Sequence, residues 1–176
     1  FPTRRSSDLG GAEALERRLR RAALHGQPIA IGTATDPYQP AEHHHGVTRS
    51  LLEVFSRVEG LDLSITTKSP LILRDLDLLT ELDARHSVSV HVSITTIDAA
   101  LARRLEPQAP DPRARLRTVE RLAAEGISTS VFCMPLLPGI HTEEVLAPLV
   151  GAAREAGATD VVGGALYLRP AARARF

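Results

Sequence analysis

Short apolar segments alternate with amphipathic segments along almost the whole chain, and this alternation constrains the fold more than any other feature. Residues 28–33, 61–67, 88–95, 127–134 and 160–168 read as strands. Residues 47–58, 71–85, 97–105, 112–125 and 142–156 repeat apolar side chains at helical spacing, with Arg74, Asp75, Asp77, Glu81 and Asp83 expected to face out from the second of them. A leading helix is expected over 11–25, with Leu15, Leu19, Ala22 and Ala23 on one side and His25-Gly26 as its stop. The order after that helix is βαβαβααβαβ. Strands separated by helices of this length pair in parallel through right-handed crossovers. The chain has 176 residues, enough to bury one real core.

Two architectures satisfy this order: an open doubly wound sheet, or most of a (βα) barrel. No Gly-x-Gly-x-x-Gly and no phosphate-binding P-loop follows the first strand. Polar residues gather at the carboxyl end of nearly every strand, as they do in barrels. The expected class is therefore α/β, a partial TIM-like barrel. The clearest example of the pattern is GTATDPYQP over residues 32–40, after the apolar run 28–31. Pro37 and Pro40 stiffen that loop, while Thr33, Thr35, Asp36 and Tyr38 supply polar groups.

Lys68 ends the second strand and is the one lysine among 21 basic residues. A lysine there points into the mouth of the site and suits a carboxylate or phosphate; the bland alternative is a solvated loop lysine. Ser89, His91, Ser93 and Thr95 share one face of the third strand. Ser93 and Thr95 lie near its open end and are site candidates, whereas His91 reads as a satisfied core histidine. Asp36 and Glu42 are candidate acid–base groups, although no carboxylate pair with clear spacing emerges. His43, His44 and His45 are consecutive, so their side chains diverge from any single ion. They read as a loop, with a metal site as the sharper alternative. Cys133 is the one cysteine, which excludes an internal disulfide and a metal site made of cysteines alone.

Basic and acidic residues both number 21, so formal net charge is zero and nothing global favours nucleic acid. No apolar run approaches the roughly 20 residues of a membrane span. Residues 1–9 read as the translation of a sequencing-adapter oligonucleotide, and are expected to be an assembly scar preceding a barrel domain over 10–176.

Five segments together resemble the radical S-adenosylmethionine superfamily, near its spore photoproduct lyase-like, or DNA repair photolyase-like, branch. They are GTATDPYQPAE (32–42), TTKSPLILRDLDLL (66–79), VSVHVSITT (88–96), LEPQAPDPRARL (105–116) and MPLLPGI (134–140), in the family's order and spacing. The resemblance implies a partial (βα)6 barrel whose strand ends hold S-adenosylmethionine over a [4Fe–4S] cluster. Carried over by motif, Thr33, Thr35 and Asp36 would meet the methionyl amine, and Lys68 and Ser93 the methionyl carboxylate. The backbone around Met134 and Pro135 would lie near the adenosine. In an intact parent the cluster would cleave S-adenosylmethionine reductively to a 5′-deoxyadenosyl radical. An electron donor such as a flavodoxin or ferredoxin would feed it. A nucleic-acid substrate is within the branch's range; independently of the resemblance, one cysteine and no apolar run of membrane-spanning length make a cytoplasmic enzyme the default expectation.

The family's Cys-x-x-x-Cys-x-x-Cys loop is absent, and one cysteine cannot hold a cluster. The expected molecule is thus a barrel lacking its first strand and cluster-binding loop, an inactive piece of a longer enzyme. Two rivals differ in class: a cluster-free barrel binding an adenosyl or phosphate ligand, and a metal-dependent barrel hydrolase using the histidine run.

Overall fold

A computed structural model describes residues 10–21 and 27–166. Among them, five strands form one parallel sheet, β1 (Pro28–Ile31), β2 (Asp62–Thr67), β3 (Ser87–Ser93), β4 (Ser128–Leu136) and β5 (Asp160–Ala165). Their order in space is β1-β2-β3-β4-β5, the same as their order in the chain. A doubly wound sheet reverses direction at a switch point, whereas a barrel adds each strand beside the last. The sequential order and all-parallel pairing make this an α/β partial barrel, as the sequence leads one to expect.

The helices are α1 (Gly11–Arg21), α2 (Glu42–His45), α3 (Val47–Phe55), α4 (Leu76–Asp83), α5 (Ala99–Leu105), α6 (Pro112–Ala124) and α7 (Glu143–Glu155). Strict alternation along β2 and β3 sends Leu63, Ile65, Val88, Val90 and Val92 to the helix side, where they are buried. The opposite face is lined by small polar residues in register: Ser64 beside Ser89, and Thr66 beside His91. Helices start where their caps dictate. Asp98 accepts from Ala100 and Leu101 N–H at 2.8 and 3.1 Å. Asp111 accepts from Arg113 N–H at 2.8 Å, with Pro112 opening α6.

Three expectations need correction. Residues 71–85 are not one helix: a 3-10 turn over Pro70–Asp75 precedes α4. The turn brings Arg74 back onto Glu42, donating to its carbonyl at 3.0 Å and its carboxylate at 3.2 Å. Asp75, expected to face outward with Asp77, is fully buried between Arg49 and Arg74, each 3.0 Å away. His43, His44 and His45 form the one-turn helix α2 rather than a loop. Glu42 holds that turn in place by accepting from Val47 and Thr48 N–H at the start of α3. The proposed scar at 1–9, the His25-Gly26 helix stop and the end of the last strand beyond 166 lie outside the described residues.

Two close approaches fix the sheet. Gly32 ends β1 at φ +94°, and a Cβ there would lie 2.2 Å from the Thr66 carbonyl oxygen. At the far side β4 is irregular between Cys133 and Leu136, and includes the cis Met134–Pro135 peptide. There Cβ atoms added at Gly163 and Gly164 would come within 3.0 Å of Leu136 and 3.2 Å of Met134. Glycines in β5 let those two larger side chains lie across it.

Candidate functional site

The loops leaving β1 and β2 are built as one piece. Asp36 accepts from Tyr38 N–H at 2.9 Å, Thr67 Oγ1–H at 2.6 Å and Lys68 N–H at 2.8 Å. Thr67 Oγ1 in turn accepts from Ser69 N–H at 2.9 Å. The loop is pinned from beneath as well: Thr48 Oγ1 donates to the Pro37 carbonyl at 2.5 Å, and Tyr38 is buried. Burial and the negative charge of Asp75 push the Tyr38 hydroxyl well above its ordinary range, so it stays protonated. Asp36 therefore fixes the backbone from which Lys68 projects, while Thr33 and Thr35 stand exposed on the rim.

Lys68 and Ser93 are brought together by two residues that sequence reasoning did not single out. Lys68 Nζ lies 3.2 Å from Glu106 Oε1. Glu106 Oε2 accepts from Arg115 Nη1 at 2.9 Å, and the same nitrogen donates to the Ser93 carbonyl at 2.9 Å. Arg115 Nε donates to the Pro110 carbonyl at 2.7 Å. Arg115 is only 1% exposed, so its guanidinium acts as a buried clamp joining the end of β3 to the α5–α6 connection. Nothing local in the sequence marks Arg115 as buried, because α6 carries several arginines and most point outward. A cleft of about 190 Å³ opens beside the clamp, lined in part by Arg103, Glu106, Pro110 and Asp111.

The open face of the sheet also carries His91, stacked on Phe132 with ring centroids 4.1 Å apart and planes 13° from parallel. His91 is half-buried and its Nδ1 has no hydrogen-bond partner. It is therefore not a satisfied core histidine. The histidine that fits that description is His86, whose Nδ1 accepts from Leu61 N–H at 3.1 Å while Nε2 lies 3.2 Å from the Phe55 carbonyl.

Burial lowers the His91 imidazole below its usual 6.5 and raises the Cys133 thiol above its usual 9.0. As pH falls below 6.5 the unfolded chain gains a proton on His91 before the folded one does, so stability is lost progressively downward from there. As pH rises past 9.0 the unfolded Cys133 ionises first, and stability is lost upward. Urea midpoints across this range are expected to fall at both ends. His91→Gln should flatten the acid limb only; an unchanged acid limb would mean that His91 is not its source.

Cys133 lies on the helix side, 2% exposed, with Sγ donating to the Thr95 carbonyl at 3.4 Å. A [4Fe–4S] cluster needs several thiolates, and this single buried thiol, facing away from the open side of the sheet, does not fit one. Among the described residues no three His, Cys, Asp or Glu side chains gather to hold a metal ion. His43, His44 and His45 are all exposed on α2. Glu42 caps α3 and pairs with Arg74, so it belongs to the scaffold. The donor set at the strand ends is different: the Lys68 ammonium, the Glu106 carboxylate and the Ser93 hydroxyl lie on adjoining strands and loops, a set of charged and polar groups that can pair with a small charged ligand.

The family model described as the radical SAM superfamily matches residues 2–147. An uncharacterized protein of Mycobacterium tuberculosis is 37% identical over 166 residues, covering 94% of this chain and 48% of that protein. An uncharacterized protein of Methanocaldococcus jannaschii is 30% identical over 118 residues, covering 67% of this chain and 44% of that protein. The chain thus spans about half the length of these relatives. In fold it is similar to spore photoproduct lyase complexed with dinucleoside spore photoproduct. There the TM-score is 0.67 and the identity 16%, over 92% of this chain and 48% of that one. It is also similar to Streptococcus suis SuiB bound to S-adenosylmethionine, with TM-score 0.66 and 15% identity over 90% of this chain and 34% of that one. No helix among the described residues is long and apolar enough to cross a membrane.

Proposed function

Because the chain belongs to the radical S-adenosylmethionine superfamily, we propose that it forms the part of a barrel that grips the methionyl end of S-adenosylmethionine, within a longer enzyme. The observation that carries this reading is the convergence of Lys68 and Ser93 through Glu106 and Arg115. Lys68 would meet the carboxylate as a point charge, with the Ser93 hydroxyl as a second donor. Asp36 would act through the backbone it holds. Thr33 and Thr35, exposed on the adjoining rim, would approach the amine. In the intact enzyme a [4Fe–4S] cluster would supply the electron for reductive cleavage to a 5′-deoxyadenosyl radical. The chain's own residues bind and orient the cofactor and do no redox chemistry. The reading takes the intact enzyme to be cytoplasmic and supplied by a flavodoxin- or ferredoxin-type donor.

The test is titration of the chain with S-adenosylmethionine, together with assay of iron and sulfide after reconstitution. Lys68→Ala is expected to weaken binding at least about tenfold, or about 1.4 kcal/mol. Iron and sulfide should remain far below one cluster per chain. Unchanged affinity in the variant would remove Lys68 from the site, and a stoichiometric cluster would overturn the division of labour between chain and parent.

A further inference from the structure

We propose that the cleft between α5 and the 106–112 connection is a binding site for a small apolar monocarboxylate, held by Arg103 and Arg115. The inference is independent of the reading of Lys68, because neither Lys68 nor Ser93 lines this cleft.

The cleft holds about 190 Å³, the liquid share of roughly six waters. That is room for a fragment-sized ligand and too little for a nucleotide. Its walls are largely small and apolar, with Ala99 and Ala102 of α5 facing Ala109 and the prolines of 107–112. Proline has no N–H, so the connection contributes few donors. The donors belong to two arginines on the wall. Arg103 is exposed and makes no ion pair among the described residues. Arg115 is 1% exposed. Its Nε serves the Pro110 carbonyl, and its Nη1 serves Glu106 and the Ser93 carbonyl. Nη2 makes no hydrogen bond among the described residues, yet it is not sealed from solvent. The cleft that Arg115 lines is the opening that reaches it.

Formal charges on the wall cancel, Arg103 and Arg115 against Glu106 and Asp111. The site takes its character from which of these groups are already spent. Glu106 has one oxygen 3.2 Å from the Lys68 ammonium and the other 2.9 Å from Arg115. Asp111 accepts from Arg113 N–H at 2.8 Å and caps α6. Asp36 is tied to the Lys68 N–H and does not line the cleft. The capacity left over is therefore that of guanidinium donors, whose planar fork matches a carboxylate. A dianion would set its second charge against Glu106 and Asp111. A neutral ligand would leave the arginine donors without an anion. One carboxylate on an apolar body satisfies both parts of the wall.

The probes are benzoate, its neutral isostere benzamide, and the dianion phenyl phosphate, titrated into the isotope-labelled chain with backbone amide shifts as the readout. Benzoate is expected to shift the Arg103, Ala109 and Asp111 amides saturably, with Kd on the order of 1 mM, and the other two to bind at least about fivefold more weakly. Arg103→Gln removes the charge, and Ala99→Leu fills the cleft without touching it. Each should weaken benzoate at least about fivefold. Both positions are exposed, so amides outside α5 and the connection should keep their shifts. Lys68 is the one lysine, so its acylation, read by peptide mass spectrometry, reports on the strand ends separately. Benzoate in the cleft should leave that rate within about twofold. Equal binding of benzamide would overturn the need for an anion. Undiminished binding in Arg103→Gln would overturn the arginine cradle. Undiminished binding in Ala99→Leu, or shifts confined to Lys68 and Ser93, would overturn the cleft as the place of binding.

Discussion

Gly32→Ala should destabilise the chain by about 2–5 kcal/mol, as read from urea unfolding monitored by circular dichroism. The left-handed φ of +94° costs an L residue roughly 1–2 kcal/mol on its own. The larger share is steric. A Cβ at this position would lie 2.2 Å from the Thr66 carbonyl oxygen and 3.0 Å from Pro37 Cδ. The first neighbour is backbone and cannot rotate aside. Relief requires β1 and β2 to separate where Asp36 ties their loops together through Thr67 and Lys68, and shifts of that kind cost about 1–3 kcal/mol. Against a total stability of about 5–15 kcal/mol, the variant should be close to unfolded or lose its β1 pairing. A loss below about 1 kcal/mol would show that the loop accommodates a side chain and that the close approach to Thr66 is not required.

Arg115→Met is expected to be comparably severe, for an electrostatic reason. Methionine matches much of the buried volume but provides no donors. The substitution leaves Glu106 without its 2.9 Å partner, and the Ser93 and Pro110 carbonyls without theirs. Breaking a buried pair by deleting one member typically costs about 3–5 kcal/mol. For a chain of this size that corresponds to a fall in melting temperature of about 6–20 °C. Arg115→Lys should recover only part of the loss, since a single ammonium cannot serve three acceptors placed around a planar guanidinium. The double variant Arg115→Met with Glu106→Gln should be less unstable than the single one, because the carboxylate left with only its half-exposed Lys68 partner is then gone. Equal losses in both would place the cost in the orphaned carbonyls instead.

How much of this was legible from the sequence depended on whether the signal was periodic or spatial. The alternation of Val88, Val90 and Val92 with Ser89, His91 and Ser93 is a property of a few consecutive residues, and it gave β3 and its two faces directly. Lys68 stood out because it is a lone lysine at a strand end. The buried ion pairs were not legible. Asp75 sits in a run of alternating charges that reads as a solvated helix face, and only the return of Arg74 to Glu42, 32 residues away in sequence, explains why it is buried. The α2 turn depends in the same way on a carboxylate that reaches forward to Thr48. Glu106 and Arg115 lay within a segment whose likeness to the family was plain, yet their pairing with Lys68 joins three separate loops and helices. The satisfied histidine is His86 rather than His91 for a related reason. Which histidine finds two backbone partners is decided by how the α4–β3 connection folds onto Phe55 and Leu61.

The identity of spatial and chain order in the sheet has a consequence of another kind. Each strand is flanked only by the strands before and after it, so the sheet behaves like a short ladder built from nearest-neighbour rungs. No strand has to wait for a distant partner, and loop closure between successive rungs spans only one crossover at a time. Cooperativity should therefore be greatest at β3, which has two rungs on either side, and weakest at β1 and β5, which have one neighbour each among the described strands. The Lys68–Glu106–Arg115 clamp lies across the β2 and β3 ends, in the part of the ladder that would fray last.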